Sequence, residues 1–265
     1  MDPIISSTPK IADIQTSNLL YYDPDFKDLC FRFCQKRDID CLPSLTDPSK
    51  LLLKTEAGFE EQDVSPGRKV DGDTPLFAPD LLERFRGCPL LFVYNKYELT
   101  GVVHFSDYNR PAVSSFLFNL LSSYERSLRK LLSLHNLKNQ AMLEYYQSAA
   151  NSTKNEVSRT IFSNKLAEYE GKRDRNERLP VFECFYLVDL IELTKKRKII
   201  KLDVNVNHLR NQIMHAEDPV SLDDAGRGDL IYTFDSFQTF FNQARLLIQD
   251  SRKVRNKITL LEGGE

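Results

Sequence analysis

The chain has no long hydrophobic run. Its apolar stretches, such as 90–93 and 185–187, fall far short of the roughly 20 residues a membrane-crossing helix needs. Residues 1–10 are polar and lack the basic start and apolar centre of a secretory signal. A cytoplasmic protein with no membrane association is the expectation. A zinc-binding pattern is also missing. Cys30, Cys34, Cys41, Cys88 and Cys184 are odd in number and follow none of the usual ligand spacings. Cys30 and Cys34 stand four apart on an expected helix without a histidine or a second cysteine pair nearby. Buried, reduced thiols are therefore expected rather than a metal site.

What is present is ordinary for a folded protein. The 265 residues are 41% hydrophobic and 28% charged, enough for one large domain or two ordinary ones. The net charge of −2 hides an asymmetry: residues 1–110 carry −5 and residues 111–265 carry +3. The second half also holds the cluster Lys195-Lys196-Arg197-Lys198 with Lys201. Such a patch suits a phosphate-rich partner, although a solvated loop or helix end is the simpler account of the charges alone.

The composition changes near Arg110-Pro111. Before that point short apolar runs alternate with turns. Two stretches are alike, one through a helix near 26–33 and apolar runs at 42–45 and 51–53, the other through 81–85, 91–94 and 99–103. A shift of 48 residues places Leu45 on Val93, Asp47 on Asn95 and Leu51 on Leu99. Each stretch reads as helix, strand, turn, strand. A β-α-β-β unit this small cannot cover both faces of its sheet, so two should pack together. Residues 56–73, polar and rich in Gly, Pro and Asp, read as a loop between them.

From Ala112 the pattern becomes helical. Phe116, Leu117, Leu120, Leu121, Tyr124, Leu128, Leu131 and Leu132 share one wide face, and Pro111 suits a first helical turn. A second helix is expected over 137–169, a third over 181–194 and a short fourth over 205–214. A last one over 235–255 turns Phe237, Phe240, Phe241, Ala244, Leu247 and Ile248 inward. Five antiparallel helices fit a bundle.

On the short fourth helix, Val206, Leu209 and Ile213 form the apolar stripe. At about 100° per residue, Asn211 and His215 then point away from it, with Arg210 on the flank. Metal-free RNA cleavage needs a base for the 2′-hydroxyl proton, an acid for the leaving 5′-oxygen and a cation for the charge on phosphorus. Histidine titrates near neutrality and can act as base or acid. Arginine offers a planar fork to phosphate oxygens, and Asn211 could hold an oxygen or orient the histidine. Taken alone, the pair is also compatible with a histidine satisfied by the helix dipole beside an arginine in a surface ion pair.

The string Leu209-Arg210-Asn211-Gln212-Ile213-Met214-His215 resembles the Arg-x4–6-His signature of HEPN domains, including the polar residue after the arginine. Tyr124-Glu125-Arg126-Ser127-Leu128-Arg129-Lys130-Leu131 is similar to the first helix of that family. The resemblance covers about 112–258. It implies a metal-independent ribonuclease that works as a homodimer, with two motifs facing across one cleft. Arg210 and His215 would be catalytic and Asn211 assisting. Glu125 and Arg129 read as a solvated i,i+4 pair.

The string Gly101-Val102-Val103-His104-Phe105-Ser106-Asp107 resembles the Gly-h-x-Thr/Ser-x-x-Asp signature of CBS domains. The resemblance implies a site for an adenine nucleotide formed by Gly101, His104, Ser106 and Asp107, with His104 replacing the usual hydroxyl. Leu53 and Phe59 stand at the equivalent places of the first unit, which implies a degenerate site there. Read from the residues alone, Asp107 caps the following helix.

The expectation is an α+β protein: a tandem CBS-like β-α-β-β module over residues 1–110, then a HEPN-like five-helix bundle over residues 111–265. Its function would be RNA cleavage gated by an adenine nucleotide, with no cofactor needed for the chemistry, as suits a toxin or defence effector. The alternative is a non-catalytic adaptor that senses a nucleotide or dimerises through the bundle.

Overall fold

The turn-rich first hundred residues build two separate three-stranded sheets with different topologies. The computed structural model describes residues 8–37, 39–175, 177–214, 218, 220, 222–224 and 230–263. Contacts divide the chain into two units, 1–116 with 216–241 and 117–215 with 242–265.

In the first unit, α1 (Lys27–Arg37) is followed by β1 (Cys41–Pro43), β2 (Lys50–Thr55) and β3 (Gly58–Asp63). These strands form an antiparallel meander in the order β1-β2-β3. Cys30 and Cys34 on α1 are buried against Leu42, as small apolar side chains would be. Cys41, Cys88 and Cys184 are only half-buried, and all five thiols are free. The turn into β3 uses Gly58 at φ +131°, a conformation open to glycine and costly to other residues.

The second sheet is β4 (Lys69–Asp71), β5 (Leu90–Asn95) and β6 (Glu98–His104), with α2 (Leu81–Gly87) between β4 and β5. Here β4 runs parallel to β5, and β5 antiparallel to β6. Residues 56–73, expected to be a loop, thus contain β3 and β4. The strand β3 is polar and mostly exposed, so it lacks the apolar alternation that reveals a strand. The 48-residue correspondence is kept only in part. Leu51 and Leu99 are both buried in strands, but Leu45 lies in a turn with 59% exposure whereas Val93 is buried in β5.

Aromatic rings fill the interior of the first unit. Phe237 stands 5.0 Å from Tyr108 and 5.4 Å from Phe85 between ring centroids, and Phe241 stands 5.5 Å from Phe77. Phe237, Phe240 and Phe241 are therefore buried, but against rings of the first unit rather than inside the bundle. This is why 216–241 rejoins that unit, and why the boundary differs from the linear division at 110/111. A two-stranded ribbon, β7 (Leu222–Asp224) with β8 (Leu230–Tyr232), lies in the same segment.

The remaining helices are α3 (Pro111–Leu134), α4 (Asn139–Ser152), α5 (Glu156–Asp174), α6 (Leu187–Lys196), α7 (Val206–Met214) and α8 (Phe234–Glu262). Among the described residues these α-helices are six, not the five expected. The single helix foreseen over 137–169 is broken at 153–155, where Asn155 caps α5 by accepting the Ser158 amide at 3.1 Å. The helix foreseen from 181 begins only at Leu187. Residues 180–186 instead form a turn in which Phe182 is buried at φ +61°. Asn139 holds that turn by accepting the Phe182 amide at 2.7 Å. Arg129 also reaches it, donating to the Phe182 carbonyl at 3.1 Å while paired with Glu125. The Glu125–Arg129 pair is thus half-buried and structural. No helix among the described residues is long and apolar enough to cross a membrane.

Candidate active site

The short helix α7 is set in place by side chains of α8. The Asp250 carboxylate is fully buried. Its Oδ2 accepts the backbone amides of Asp203 at 2.7 Å and Val204 at 2.9 Å, and its Oδ1 accepts from Lys253 Nζ at 2.8 Å. Gln243 Oε1 accepts the Asn205 amide at 3.2 Å, and Asn205 Oδ1 accepts that of Asn207 at 3.3 Å. Backbone amides near a helix start have no intrahelical partner, and these acceptors supply several. Lys253 also bonds Asp203 at 2.8 Å, which lowers the Asp203 carboxyl pKa below its ordinary value. The Tyr124 hydroxyl is buried without a hydrogen-bond partner among the described residues. Its pKa is raised, first by burial and then by the Asp250 charge.

Beyond this clamp, α7 presents two unlike faces. Val206, Leu209 and Gln212 are buried, and Ile213 is half-buried. Asn211 is exposed, on the side away from Val206 and Leu209, and Arg210 is half-exposed on the flank, one turn beyond Val206. The buried stripe is therefore completed by Gln212 as well as Ile213. Arg210 makes no hydrogen bond or ion pair with a described residue, a state it shares with Arg126, Arg245 and Arg252, whereas Arg129 and Arg197 pair with carboxylates. His215 lies outside the described residues, so its geometry relative to Arg210 and Asn211 is not part of the site described.

A cleft of about 390 Å³ opens beside the start of α7, lined by Ile191, Glu192 and Lys195 of α6 and by residues 203–207. The basic cluster lies next to it in sequence and is largely satisfied locally. Lys195 pairs with Glu192 at 3.2 Å, Arg197 with Glu144 at 3.1 Å and Lys201 with Asp203 at 3.8 Å. Lys196 bonds Ser148 and lies 5.3 Å from the Tyr145 ring centroid. Lys198 takes φ +53° where α6 ends.

The four residues of the expected nucleotide site lie close together but are used within the chain. His104, Ser106 and Asp107 form the cap of a short 3-10 turn, in which Asp107 accepts the His104 amide at 2.8 Å. The His104 Nδ1 and Ser106 Oγ are 2.7 Å apart. Asp107 also pairs with Arg110 at 2.9 Å, and Arg110 in turn donates to the Gln15 carbonyl and to Thr16 Oγ1. Burial lowers the His104 pKa below its ordinary value, against the opposing effect of Asp107. A Cβ on Gly101 would stand 2.8 Å from the Thr16 carbonyl oxygen. That glycine admits the N-terminal segment, whose Thr16 exchanges both backbone hydrogen bonds with Val102 at 2.8 and 3.0 Å.

Asp250 and Gln243 escaped the sequence reading. The available signal was an acidic residue at an inward position of a helix whose neighbouring inward positions, Leu247, Ser251 and Val254, are buried. Among the described residues no group of three or more potential metal-ligating side chains converges. No protein-family model, curated protein or solved structure matches the chain.

Proposed function

We propose that the protein is an endoribonuclease that cleaves RNA through Arg210, Asn211 and His215. The observation that carries this reading is the outward face of α7. An arginine without an ion-pair partner among the described residues adjoins an exposed asparagine, on a helix whose lead-in, residues 203–205, is held by Asp250 and Gln243. A guanidinium kept free of carboxylates remains available to phosphate oxygens.

RNA supplies its own nucleophile, the 2′-hydroxyl. His215 removes that proton or protonates the leaving 5′-oxygen, roles open to a group that titrates near neutrality. Arg210 stabilises the negative charge that grows on the phosphorane oxygens, and Asn211 orients either an oxygen or the imidazole. Attack breaks the phosphorus–5′-oxygen bond and leaves a 2′,3′-cyclic phosphate and a 5′-hydroxyl. With one histidine in each Arg-x4-His motif, two copies facing each other would supply both base and acid, so a homodimer is part of the proposal. Control by an adenine nucleotide bound to the first unit, and a role as toxin or defence effector, extend the same reading.

The test is incubation of RNA with the protein in EDTA, beside Arg210→Ala and His215→Ala. Each substitution is expected to lower the rate by about 10²–10⁴-fold with the helical circular-dichroism signal unchanged. Cleavage retained by both variants would reject the assignment. Dimerisation without any cleavage would favour a binding module.

A further inference from the structure

We propose that the first unit binds a nucleoside phosphate in a cleft lined by Ser49, Lys69, Asp71, Tyr94, Lys96 and Tyr97, a place that shares no residue with Gly101, His104, Ser106 or Asp107. The cleft has a volume of about 430 Å³ and is completed by Pro48 and Val70. That size falls within the range of small-molecule sites, about 300–1,000 Å³.

The first argument is that the fold does not need the residues found at the cleft's rim. The β5–β6 turn carries Lys96 at φ +56°, a position where glycine or asparagine is less strained than a lysine. Its neighbour Tyr97 is 89% exposed, so its ring contributes little to packing. Two adjacent turn residues thus run against local preference, and both line the same cleft. Conflicts of this kind collect where function rather than folding selects the residue.

The second argument is the chemistry that converges there. Lys69 Nζ lies 5.3 Å from the Tyr94 ring centroid, a cation–π contact that holds an ammonium at the cleft wall. The Tyr94 ring is itself fixed by its hydroxyl, which donates to the Pro48 carbonyl at 2.6 Å. Neither Lys69 nor Lys96 forms an ion pair with a described residue. Asp71 Oδ1 accepts the Asp73 amide at 2.7 Å, while Oδ2 has no hydrogen bond among the described residues. Two cations suit a phosphate, a carboxylate oxygen suits sugar hydroxyls, and the bare Tyr97 ring suits a flat base. A simple anion would leave Tyr97 without a purpose, and a neutral aromatic compound would leave both lysines without one.

The inference does not rest on ribonuclease activity, and its test uses binding alone. Isothermal titration calorimetry on the full chain would compare AMP, ADP and ATP with adenosine and with inorganic phosphate. Wild type would be set beside Lys96→Gly, Tyr97→Ala and, as a comparator at the other position, Ser106→Ala. At least one nucleotide is expected to bind one per chain, more tightly than adenosine or phosphate alone. Lys96→Gly and Tyr97→Ala should each weaken it at least about ten-fold, and Ser106→Ala should leave it unchanged. Lys96→Gly should also keep or raise the thermal midpoint, because it relieves the turn. That separates loss of ligand from loss of fold. No heat with any nucleotide, or affinity unchanged in Lys96→Gly and Tyr97→Ala, would overturn the proposal. Binding abolished by Ser106→Ala alone would do so as well.

Discussion

Asp189 is a buried carboxylate inside a helical unit, satisfied by Lys165 at 2.7 and 2.9 Å and by the Tyr146 hydroxyl at 2.7 Å. The ammonium is flanked by the rings of Tyr146, Phe162 and Tyr186. Burial together with the Asp189 charge raises the Tyr146 pKa. Removing one partner of such a pair strands the other, so Asp189→Ala should cost about 3–5 kcal/mol. Chemical denaturation would measure it, and Lys165→Met in the same chain should recover part of the loss. Gly101→Ala should destabilise by about 1–3 kcal/mol through overpacking, because its Cβ meets the Thr16 backbone oxygen as well as the Gln15 side-chain tip, and only the second can move aside. Limited proteolysis should then cut near Thr16 sooner. His104 gives a signed pH dependence. Its pKa is lowered on folding, so the unfolded chain takes up a proton first as pH falls. The associated stability is present above the ordinary histidine pKa and is lost as pH drops through the folded value. Denaturation midpoints at pH 7.5 and 5.5 should therefore differ more in wild type than in His104→Asn.

At the scale of elements, helix existence was more legible than helix limits. The apolar face of α3 from Leu117 to Leu132 is buried where the spacing put it, because a period of 3.6 over about four turns is a strong signal. The break between α4 and α5 was missed since Thr153, Lys154 and Asn155 are as polar as the surface residues beside them. The strand β3 was missed because an exposed edge strand needs no apolar residues. The start of α6 was placed too early because Pro180 resembles a helix opener, whereas tertiary bonds from Asn139 and Arg129 hold residues 180–186 in a turn. The exposed face of α7 could be read from sequence, but its anchor could not, since Asp250 stands some forty residues away in the chain. Asp250→Ala leaves the amides of Asp203 and Val204 without their acceptor, a loss of about 1–3 kcal/mol for each buried amide. Hydrogen exchange at residues 203–209 should accelerate, and Asp250→Asn, which keeps an acceptor oxygen, should restore part of the protection.

For the whole molecule, the change of composition at Arg110-Pro111 marks where α3 begins, yet the chain's contacts do not divide there. Phe237 and Phe241 recur at helical spacing exactly as bundle residues would, and only their ring contacts with Phe77, Phe85 and Tyr108 assign them to the first unit. A fragment of residues 111–265 should therefore expose these phenylalanines, bind a hydrophobic dye and aggregate on size-exclusion chromatography, whereas the full chain should not. The two candidate sites differed in legibility for a related reason. Arg210 and Asn211 lie close in sequence, so one helix wheel places Asn211 on the outward face and Arg210 on its flank. The nucleotide cleft draws on residues 48–49, 69–71 and 94–97, which only the folded chain brings together. The central claim is that the face of α7 breaks RNA by way of its own 2′-hydroxyl. It is tested most directly with an oligonucleotide cut by the wild-type protein in EDTA, and its twin bearing a single 2′-deoxy sugar at the scissile position. The all-RNA strand should yield a 2′,3′-cyclic phosphate end and the substituted strand should stay intact there, with Arg210→Ala cutting neither. Equal cleavage of both strands, or unchanged cleavage by Arg210→Ala, would contradict the account.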